Sequence, residues 1–358
     1  MKKGGFLLLA IILLIYGYQA YQVVDLYRDD VLKIKYSGKL SDITERVLSV
    51  PLETPDSGVI RNVKHVRRDE NHLFMLSDNR LLHFNMKGKF INQIASDILA
   101  ENGKYIVEYV LNADNHQVLV IDSECYISTF DYYGHLINKI SIDKPWHKIT
   151  AITFHDGFLW ATAETLVKNR ENPSSFLIEH KLYQLDIYMN EIYSQALRPV
   201  NFGKNTIISS LPVDELLVDE QGVYAYSAIS NKSVLLEDTI HIVQQKKIPL
   251  LYKDAPYRMA CIYPVRKGTR HYLSTYYNDL TDNGFTFCYD NLKYTAYLLS
   301  DGFRDDFYKT GYVSDLQPMD SYNDSYCFIK SGKEIAKKFP ERAKNNDMPV
   351  LFILKLTV

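Results

Sequence analysis

The sequence predicts an all-β protein, a six-bladed β-propeller preceded by an N-terminal signal-anchor or signal helix. Three features predict it: a repeat of short strands, an apolar N-terminus, and 28 Tyr and 16 Phe against only 16 Gly. Aromatic and β-branched side chains suit a pleated, half-buried surface, so this composition favours strands. We divide the chain into a signal or membrane anchor at 1–24, a linker at 25–46 and a propeller at 47–358.

The N-terminus has the pattern of an export signal. Lys2 and Lys3 precede an uncharged apolar run, and a basic start before such a run is typical of these signals. The segment from Phe6 to Val24 is 19 residues long, close to the ~20 that span a bilayer. No good cleavage site and no lipid-accepting Cys follow, which favours an uncleaved anchor over a cleaved signal. The positive-inside rule then places the remainder at the extracytoplasmic face of the cell envelope, anchored in the membrane or, after cleavage, secreted.

A repeat with a period of 46 residues predicts the blades. It is carried by two sets of matching positions: Phe84, Gly88, Phe90 and Ile94, then Phe130, Gly134, Leu136 and Ile140. A period in the forties with several strands per unit is typical of propellers. Asn or Asp opens the turn of each unit and Gly closes it, as a tight hairpin requires. Less regular units can be recognised further along the chain and bring the count to six. In the third unit, Asn190 lies near the glycine position.

The two ends of the repeat region predict a closed ring. The strand from Val47 to Glu53 and the terminal strand PVLFILKL belong to no unit of their own. Pairing them within one blade would remove the exposed edges that an open array leaves. Before the last strand, Ser331 and Glu334 form a capping-box pattern that predicts a short helix.

The residues resemble a known group, the exported bacterial six-bladed β-propeller family, which is NHL-like. The resemblance rests on SVPLET (Ser49 to Thr54), the blade signature F-[DN]-x-x-G-[KH]-[FL]-I, DDF (Asp305 to Phe307) followed by LQPM, and DMPVLFILKL. The first inter-blade loop departs from the family pattern and keeps only Gly103 and Tyr105. The resemblance implies the fold and an envelope location. It implies no shared reaction or catalytic set.

The net charge and the cysteine spacing argue against nucleic-acid binding and against a cysteine metal site. The formal net charge is −2 and no basic stripe is present, so nucleic acid is excluded as a partner. The pairs Arg67-Arg68 and Lys246-Lys247 are interpreted as solvated strand ends. The four cysteines lack metal-binding spacing, and three lie in apolar runs that predict small buried hydrophobes; a disulfide between two of these stays open as the alternative. The cysteines are Cys125, Cys261, Cys288 and Cys327, and the alternative bridge joins Cys261 to Cys288.

No catalytic or cofactor motif is present in the sequence. His72 and His83 lie on strands beside apolar neighbours and are interpreted as hydrogen-bonded structural residues rather than ligands. Two groups of aspartates could supply clustered oxygens to Ca²⁺, but turn formation is the favoured interpretation. These groups are Asp301, Asp305 and Asp306, and Asp279 and Asp282. No cofactor is therefore predicted.

Candidate ligand-binding residues lie in the predicted connections at the channel mouth, where propellers bind ligands. They are Trp146, His147, Tyr257, Arg258, Tyr276, Tyr277 and Asp305. An aromatic floor with an arginine suits an anionic or sugar-like ligand. Packing of the same residues is the alternative.

Two functions follow from the sequence. The first is a membrane-tethered binding or scaffold module, with the membrane as one partner through the N-terminal helix and an unknown small molecule, glycan or protein as ligand. The alternative is a metal-dependent hydrolase or lyase sited in the channel. The first is favoured because no catalytic constellation is visible.

Overall fold

The computed structural model describes residues 33–56, 58–95, 103–124, 126–142, 148–168, 176–202, 215–219, 222–227, 232–236, 241–243, 270–278, 283–290, 292–293, 295–319, 325–335 and 348–357. These residues form six four-stranded sheets and one two-stranded hairpin. Each sheet is one blade of a β-propeller, in agreement with the six units counted in the sequence.

Two strands from the N-terminal part of the chain come first: β1 (Lys33–Lys35) and β2 (Val47–Pro51). Blade 1 follows: β3 (Val63–Arg68), β4 (His72–Ser77), β5 (Arg80–Asn85) and β6 (Phe90–Ile94). Blade 2 contains β7 (Ile106–Asn112), β8 (Gln117–Asp122), β9 (Tyr126–Asp131) and β10 (Leu136–Ser141). Blade 3 contains β11 (Lys148–His155), β12 (Phe158–Lys168), β13 (Phe176–Leu185) and β14 (Glu191–Phe202).

Blade 4 contains β15 (Glu215–Asp219), β16 (Gly222–Ser227), β17 (Lys232–Leu236) and β18 (His241–Val243). Blade 5 is built on β19 (His271–Asn278), β20 (Asn283–Asp290) and β21 (Thr295–Leu299). The hairpin of β22 (Phe303–Asp305) and β23 (Gly311–Val313) leads to blade 6. Blade 6 is built on β24 (Gln317–Pro318), β25 (Ser325–Lys330) and β26 (Val350–Lys355), with the short helix α1 (Gly332–Ile335) after β25.

The turn between the last two strands of blades 1, 2 and 3 has one repeated geometry. The side-chain oxygen of its first residue, Asn85, Asp131 or Asp186, accepts hydrogen bonds from the N–H groups two and four residues later, at 2.8 to 3.0 Å. This Asx turn is the reason that Asn or Asp recurs there. The fourth turn position has a positive φ in all three blades: Gly88 (80°), Gly134 (92°) and Met189 (67°). In blade 3, Met189 rather than Asn190 takes the glycine position.

One of the two N-terminal strands, β2, closes the ring as the sequence predicted. β2 pairs antiparallel with β26 as the outermost strand of blade 6. β1 pairs in parallel with β21 as the outermost strand of blade 5, and the intervening Leu40 and Ile43 are fully buried. The backbone N–H of Thr357 donates to the carbonyl of Ile43 (2.9 Å). The propeller therefore takes in residues 33–46, which the sequence analysis assigned to a linker, because their apolar side chains join its core.

The structure can also be compared with the predictions for the late helix, the cysteines and the N-terminal helix. α1 confirms the predicted helix, and the Glu334 carboxylate accepts a hydrogen bond from the Ser331 N–H (2.9 Å). Cys288 and Cys327 are free and buried, as expected of small hydrophobes, whereas Cys125 and Cys261 lie outside the described residues. The predicted N-terminal helix also lies outside them. In the part of the chain that is described, no helix has the length and apolar character of a transmembrane span.

Candidate functional site

The first strands of five blades lie side by side at the centre of the propeller. β24, β3, β7, β11 and β15 each approach the next, so these inner strands surround the central channel. The pairing of β3, β7 and β11 with the second strand of their blades is interrupted by a β-bulge in each case. Bulges bend a strand and redirect side chains, and they are frequent beside functional sites.

The bulge in β3 brings a cluster of charged side chains onto the neighbouring blade. His65 lies in this bulge with φ 47°, an uncommon conformation for a residue with a side chain. Its Nδ1 lies 3.0 Å from Oε2 of Glu108 on β7, and the Arg67 Nη2 lies 3.4 Å from Oε1 of the same carboxylate. Two potential cations from blade 1 thus share one anion from blade 2.

The environment keeps Glu108 ionised. Burial by itself raises the pKa of the Glu108 carboxyl, but the Arg67 charge and the hydrogen bond from His65 outweigh burial and hold the pKa below its usual range. The neighbouring Tyr109 is fully buried, which raises its pKa well above the ordinary value. Tyr109 therefore acts as a neutral donor, and its hydroxyl donates to the backbone carbonyl of His65.

Arg67 is the least satisfied member of the cluster. Its guanidinium carbon lies 5.5 Å from the centroid of the Tyr109 ring, a cation–π arrangement. The Arg67 Nε is buried and has no hydrogen-bond partner among the described residues. Arg68, the next residue, donates from Nη2 to the Ser325 hydroxyl of blade 6 (3.1 Å). The pair Arg67-Arg68 is therefore half-buried and bonded to two neighbouring blades, which corrects its interpretation as a solvated strand end.

The cluster can hold an anionic group. Lys64 and His65 are exposed on β3, and Arg67 and Arg68 are half-buried. Glu108 pairs with two of these four residues, His65 and Arg67. A guanidinium with an unfilled N–H matches the planar oxygens of a carboxylate or the oxygens of a phosphate. The arrangement thus concentrates positive charge at one place on the inner strands.

Most of the binding residues predicted from the sequence lie outside the described part of the chain: Trp146, His147, Tyr257 and Arg258. Tyr276 and Tyr277 belong to β19, the first strand of blade 5, where their backbones pair with Phe285 and Gly284. Asp305 ends β22, in the connection between blades 5 and 6. The structure therefore places three of the seven predicted residues, and it tests no ligand role for any of them.

The Asp305 carboxylate organises its own turn. It accepts hydrogen bonds from the backbone N–H groups of Phe307, Tyr308 and Thr310 at 2.9 to 3.1 Å and from the Thr310 hydroxyl at 2.5 Å. The neighbouring Asp306 accepts from the Ser41 hydroxyl (2.6 Å). Asp305 therefore has the turn-forming role that the sequence favoured over Ca²⁺, whereas Asp306 is bonded to a residue 265 positions away in the chain. Among the described residues, no three His, Cys, Asp or Glu side chains lie close enough together to hold a metal ion.

His72 and His83 form a hydrogen-bonded pair between blades 1 and 2, as the structural interpretation predicted. The His72 Nδ1 lies 2.7 Å from the His83 Nε2. The Nδ1 of His83 faces two acceptors, the Asn92 Oδ1 (2.8 Å) and the Tyr132 carbonyl (3.1 Å), so this nitrogen carries the proton and Nε2 accepts from His72. Burial lowers the pKa of His83 to about 4. His83 is therefore neutral, and the pair packs one blade against the next.

Sequence reasoning missed Arg67, Glu108 and His65 as a site. Glu108 lies 41 residues after Arg67, close to one blade repeat, so the two occupy nearly equivalent places on neighbouring inner strands. The unusual charge density of KHVRR on the first strand of blade 1 was the available signal. Four of the six residues of this strand are basic, and the structure exposes Lys64 and His65 but half-buries Arg67 and Arg68.

Comparison with a family model agrees with this architecture. A family model described as 6-bladed beta-propeller matches residues 19–212, more than half of the 358-residue chain. Matching solved structures include BamB from Moraxella catarrhalis (8% identity, 69% of this chain and 73% of that chain, TM-score 0.35). They also include the β-propeller domain of Cps50 (Swd1) from Myceliophteria thermophila (10% identity, 67% of this chain and 85% of that chain, TM-score 0.37). No curated protein matches the sequence at a significant level. The family match and the six four-stranded sheets together assign this chain to the six-bladed β-propeller family.

Proposed function

We propose that this propeller is a membrane-tethered, extracytoplasmic binding module of the exported NHL-like type and that it holds an anionic ligand at the inner strands of blades 1 and 2. The observation that carries the proposal is Arg67, whose guanidinium is stacked on Tyr109 and whose buried Nε lacks a partner in the described part of the chain. The tether and the envelope location rest on the basic and apolar N-terminal sequence.

The ligand's anionic group competes with Glu108 for the cations. A carboxylate that enters beside His65 takes over part of the positive charge of Arg67 and His65 that now balances Glu108. His65 is 39% exposed at its side chain, whereas Glu108 is 16% exposed, so His65 forms the open side of the site. Arg258, predicted from the sequence, stays in the proposal as a second cationic group at the channel mouth.

Titration calorimetry on the detergent-solubilised full chain tests the proposal. D-glucuronate and inorganic phosphate are the probes, and uncharged D-glucose is the control ligand. Arg67→Ala should lose ~2–5 kcal/mol of binding, the cost typical of removing one partner from a buried charge pair. Glu108→Gln should bind more tightly because it removes the competing anion. Arg46→Ala, which alters an exposed arginine elsewhere, should bind like the parent protein.

Three results would refute parts of this proposal. Unchanged affinity in Arg67→Ala moves the site away from blades 1 and 2. Unchanged affinity in Arg258→Ala removes the predicted channel-mouth residue from the site. Hydrolysis of ester or lactone substrates that stops on addition of EDTA would instead support the alternative, a metal-dependent channel enzyme.

A further inference from the structure

One turn position is exposed in four of the blades. It is the residue whose backbone N–H donates to the side chain of an Asn or Asp two residues earlier, at 2.8 to 3.0 Å. We call the residues at this position the turn tips: Lys87 in blade 1, Tyr133 in blade 2, Tyr188 in blade 3 and Leu292 in blade 5. Tyr133 is 78% exposed, Leu292 69% and Tyr188 63%. Three of the four turn tips are therefore large side chains that the propeller leaves in contact with solvent.

The turn tips of blades 1 to 3 lie on one face of the propeller. The inner strands β3, β7 and β11 lie side by side around the channel, and they run in the same direction, as in any propeller. In each of these blades, strand pairing places the turn at the end where the inner strand ends. The three turns therefore project from the same end of the ring.

The turn tip of blade 5 lies on this face as well. His271 pairs with Asp290, the first residue of the turn between β20 and β21, just as His72 pairs with Asn85 in blade 1. Each histidine also contacts the blade that follows its own. These contacts join His72 to Tyr132 (ring centroids 5.0 Å apart) and His271 Nε2 to the Thr357 hydroxyl (2.7 Å). The turn of blade 5 thus occupies the place that the other three turns have in their blades.

The chain enters the propeller beside the turn tip of blade 5. β1 begins at Lys33, whose backbone pairs with Thr295, three residues after Leu292. The apolar N-terminal run ends at Val24, so the connection to β1 is the eight residues 25–32. Eight residues span at most about 30 Å. A short connection to an anchor therefore keeps the face that carries the turn tips toward the bilayer.

The side chains of the turn tips suit the interfacial region of a membrane. Tyrosine is enriched there, because its ring enters the apolar boundary while its hydroxyl stays among the headgroups. Leu292 has the apolar side chain that such a boundary buries, and Ile187, beside Tyr188, is a further 47% exposed apolar residue. Lys87 can lay its aliphatic stem on the same boundary and extend its ammonium group to the headgroups.

Charge alone does not account for a contact on this face, because both signs are exposed there. The exposed basic residues beside the turn tips are Lys89, His135 and Lys293, and His135 is paired with Asp131. The exposed acidic residues of the same face are Glu53, Glu70, Asp114, Asp156 and Glu191. Glu70, Asp114 and Asp156 lie in the turns nearest the channel, whereas the turn tips lie toward the periphery. The apolar side chains of the tips are what distinguishes the periphery.

We propose that the turn tips enter the interfacial region of the same bilayer that holds the N-terminal anchor. The inference rests on the tether of the proposed function and adds the surface of the propeller that meets the lipid. The propeller then lies on the membrane in one orientation, with the turn tips toward the lipid. The opposite face, which carries Tyr105 at the start of β7, points away from the membrane.

Quenching of tryptophan fluorescence by brominated phosphatidylcholine tests this orientation in the full chain reconstituted into vesicles. Trp146 and Trp160 of the parent protein give the baseline. Tyr133→Trp and Tyr188→Trp should each add fluorescence that brominated vesicles quench and unbrominated vesicles do not. An unchanged thermal transition in each variant shows that the fold is retained.

Tyr105→Trp is the matched control for these two variants. Tyr105 is 58% exposed, and its carbonyl accepts a hydrogen bond from the Ser123 N–H (2.9 Å) at the end of blade 2 opposite the turn tip. The same substitution at this end should add fluorescence that brominated lipid leaves unquenched.

Two further measurements identify apolar contact as the cause. Combining Tyr133→Ser and Leu292→Ser with Tyr188→Trp should reduce the quenching, because the remaining tip loses the support of its neighbours in the bilayer. Quenching of Tyr188→Trp should persist in ~1 M NaCl, where the Debye length is only ~3 Å. Loss of the quenching in that salt would overturn apolar insertion in favour of charge attraction.

Flotation of the vesicles separates this inference from the tether. A chain that floats with the vesicles but leaves both added tryptophans unquenched retains the tether and overturns the inference. Equal quenching of Tyr105→Trp also overturns it, because no face is then preferred. A full chain that does not associate with vesicles at all overturns the tether and the inference together.

Discussion

Gly88 packs so closely against Pro51 that a β-carbon at position 88 would overlap the Pro51 carbonyl oxygen. The Gly88 carbonyl in turn accepts a hydrogen bond from the Glu53 N–H (2.8 Å). β2 therefore closes blade 6 along one edge, and its last residue, Pro51, supports the turn of blade 1 together with Glu53. One N-terminal segment fixes the junction at which the ring must close.

Gly88→Ala should be far more destabilising than Gly134→Ala. Both glycines have positive φ, which costs roughly 1–2 kcal/mol for a residue with a β-carbon. Only Gly88 adds a steric overlap with the backbone, whereas the nearest atom at Gly134 lies at 3.5 Å. Urea unfolding of both variants measures the difference. An equal loss of stability in the two variants would mean that Pro51 shifts to make room for the β-carbon at no cost in free energy.

Deletion of residues 349–358 should abolish cooperative unfolding. This deletion removes β26, which lies between β25 and β2 and is buried from Val350 to Leu354. Its loss exposes apolar surface and opens the ring. Deletion of residue 358 alone, which leaves β26 intact, is the control. A thermal transition in the longer deletion that matches the control would contradict closure by β26.

Stability should fall as the pH drops from about 6.5 to about 4, in part because of His83. Burial lowers its pKa from the ordinary 6.5 to about 4, so in this window the unfolded chain binds a proton that the folded protein does not. The expected loss is up to about 3 kcal/mol, and this contribution changes no further below pH 4. His83→Phe, which cannot titrate, should show a shallower dependence in urea unfolding.

His271 provides the internal comparison for this pH experiment. Burial also lowers its pKa to about 4, and its Nε2 lies 2.7 Å from the Thr357 hydroxyl. Its contribution remains in the His83→Phe variant, so the pH dependence should decrease without vanishing. Identical pH profiles for the parent and the variant would show that His83 does not couple folding to protonation.

The N-terminal residues should remain on the mature protein. Lys2 and Lys3 precede an apolar run that lacks a good cleavage site and a lipid-accepting Cys, which favours an uncleaved anchor. Intact-mass measurement of protein extracted from membranes should therefore give the full chain. A mature form that begins near Tyr21 would instead establish a cleaved signal.

The sequence alone determined the blade and its closure. Asn85 with Gly88 and Asp131 with Gly134 specify a turn through their own backbone preferences, which act over a few residues and need no neighbour. After the repeat units had been assigned, one apolar strand was left over at each end of the repeat region. The pairing of these two strands, β2 and β26, followed from that. These signals are local or come from repetition, and both are visible in one chain.

Only the tertiary structure decided which side chains meet between blades. Arg67 and Glu108 are 41 residues apart, and no local preference reveals that the β3 bulge turns His65 toward the same carboxylate. The parallel pairing of β1 with β21 likewise depends on where blade 5 leaves an open edge. Contacts of this kind are set by the radial arrangement of the blades, because each blade buries its faces against neighbours that are distant in sequence.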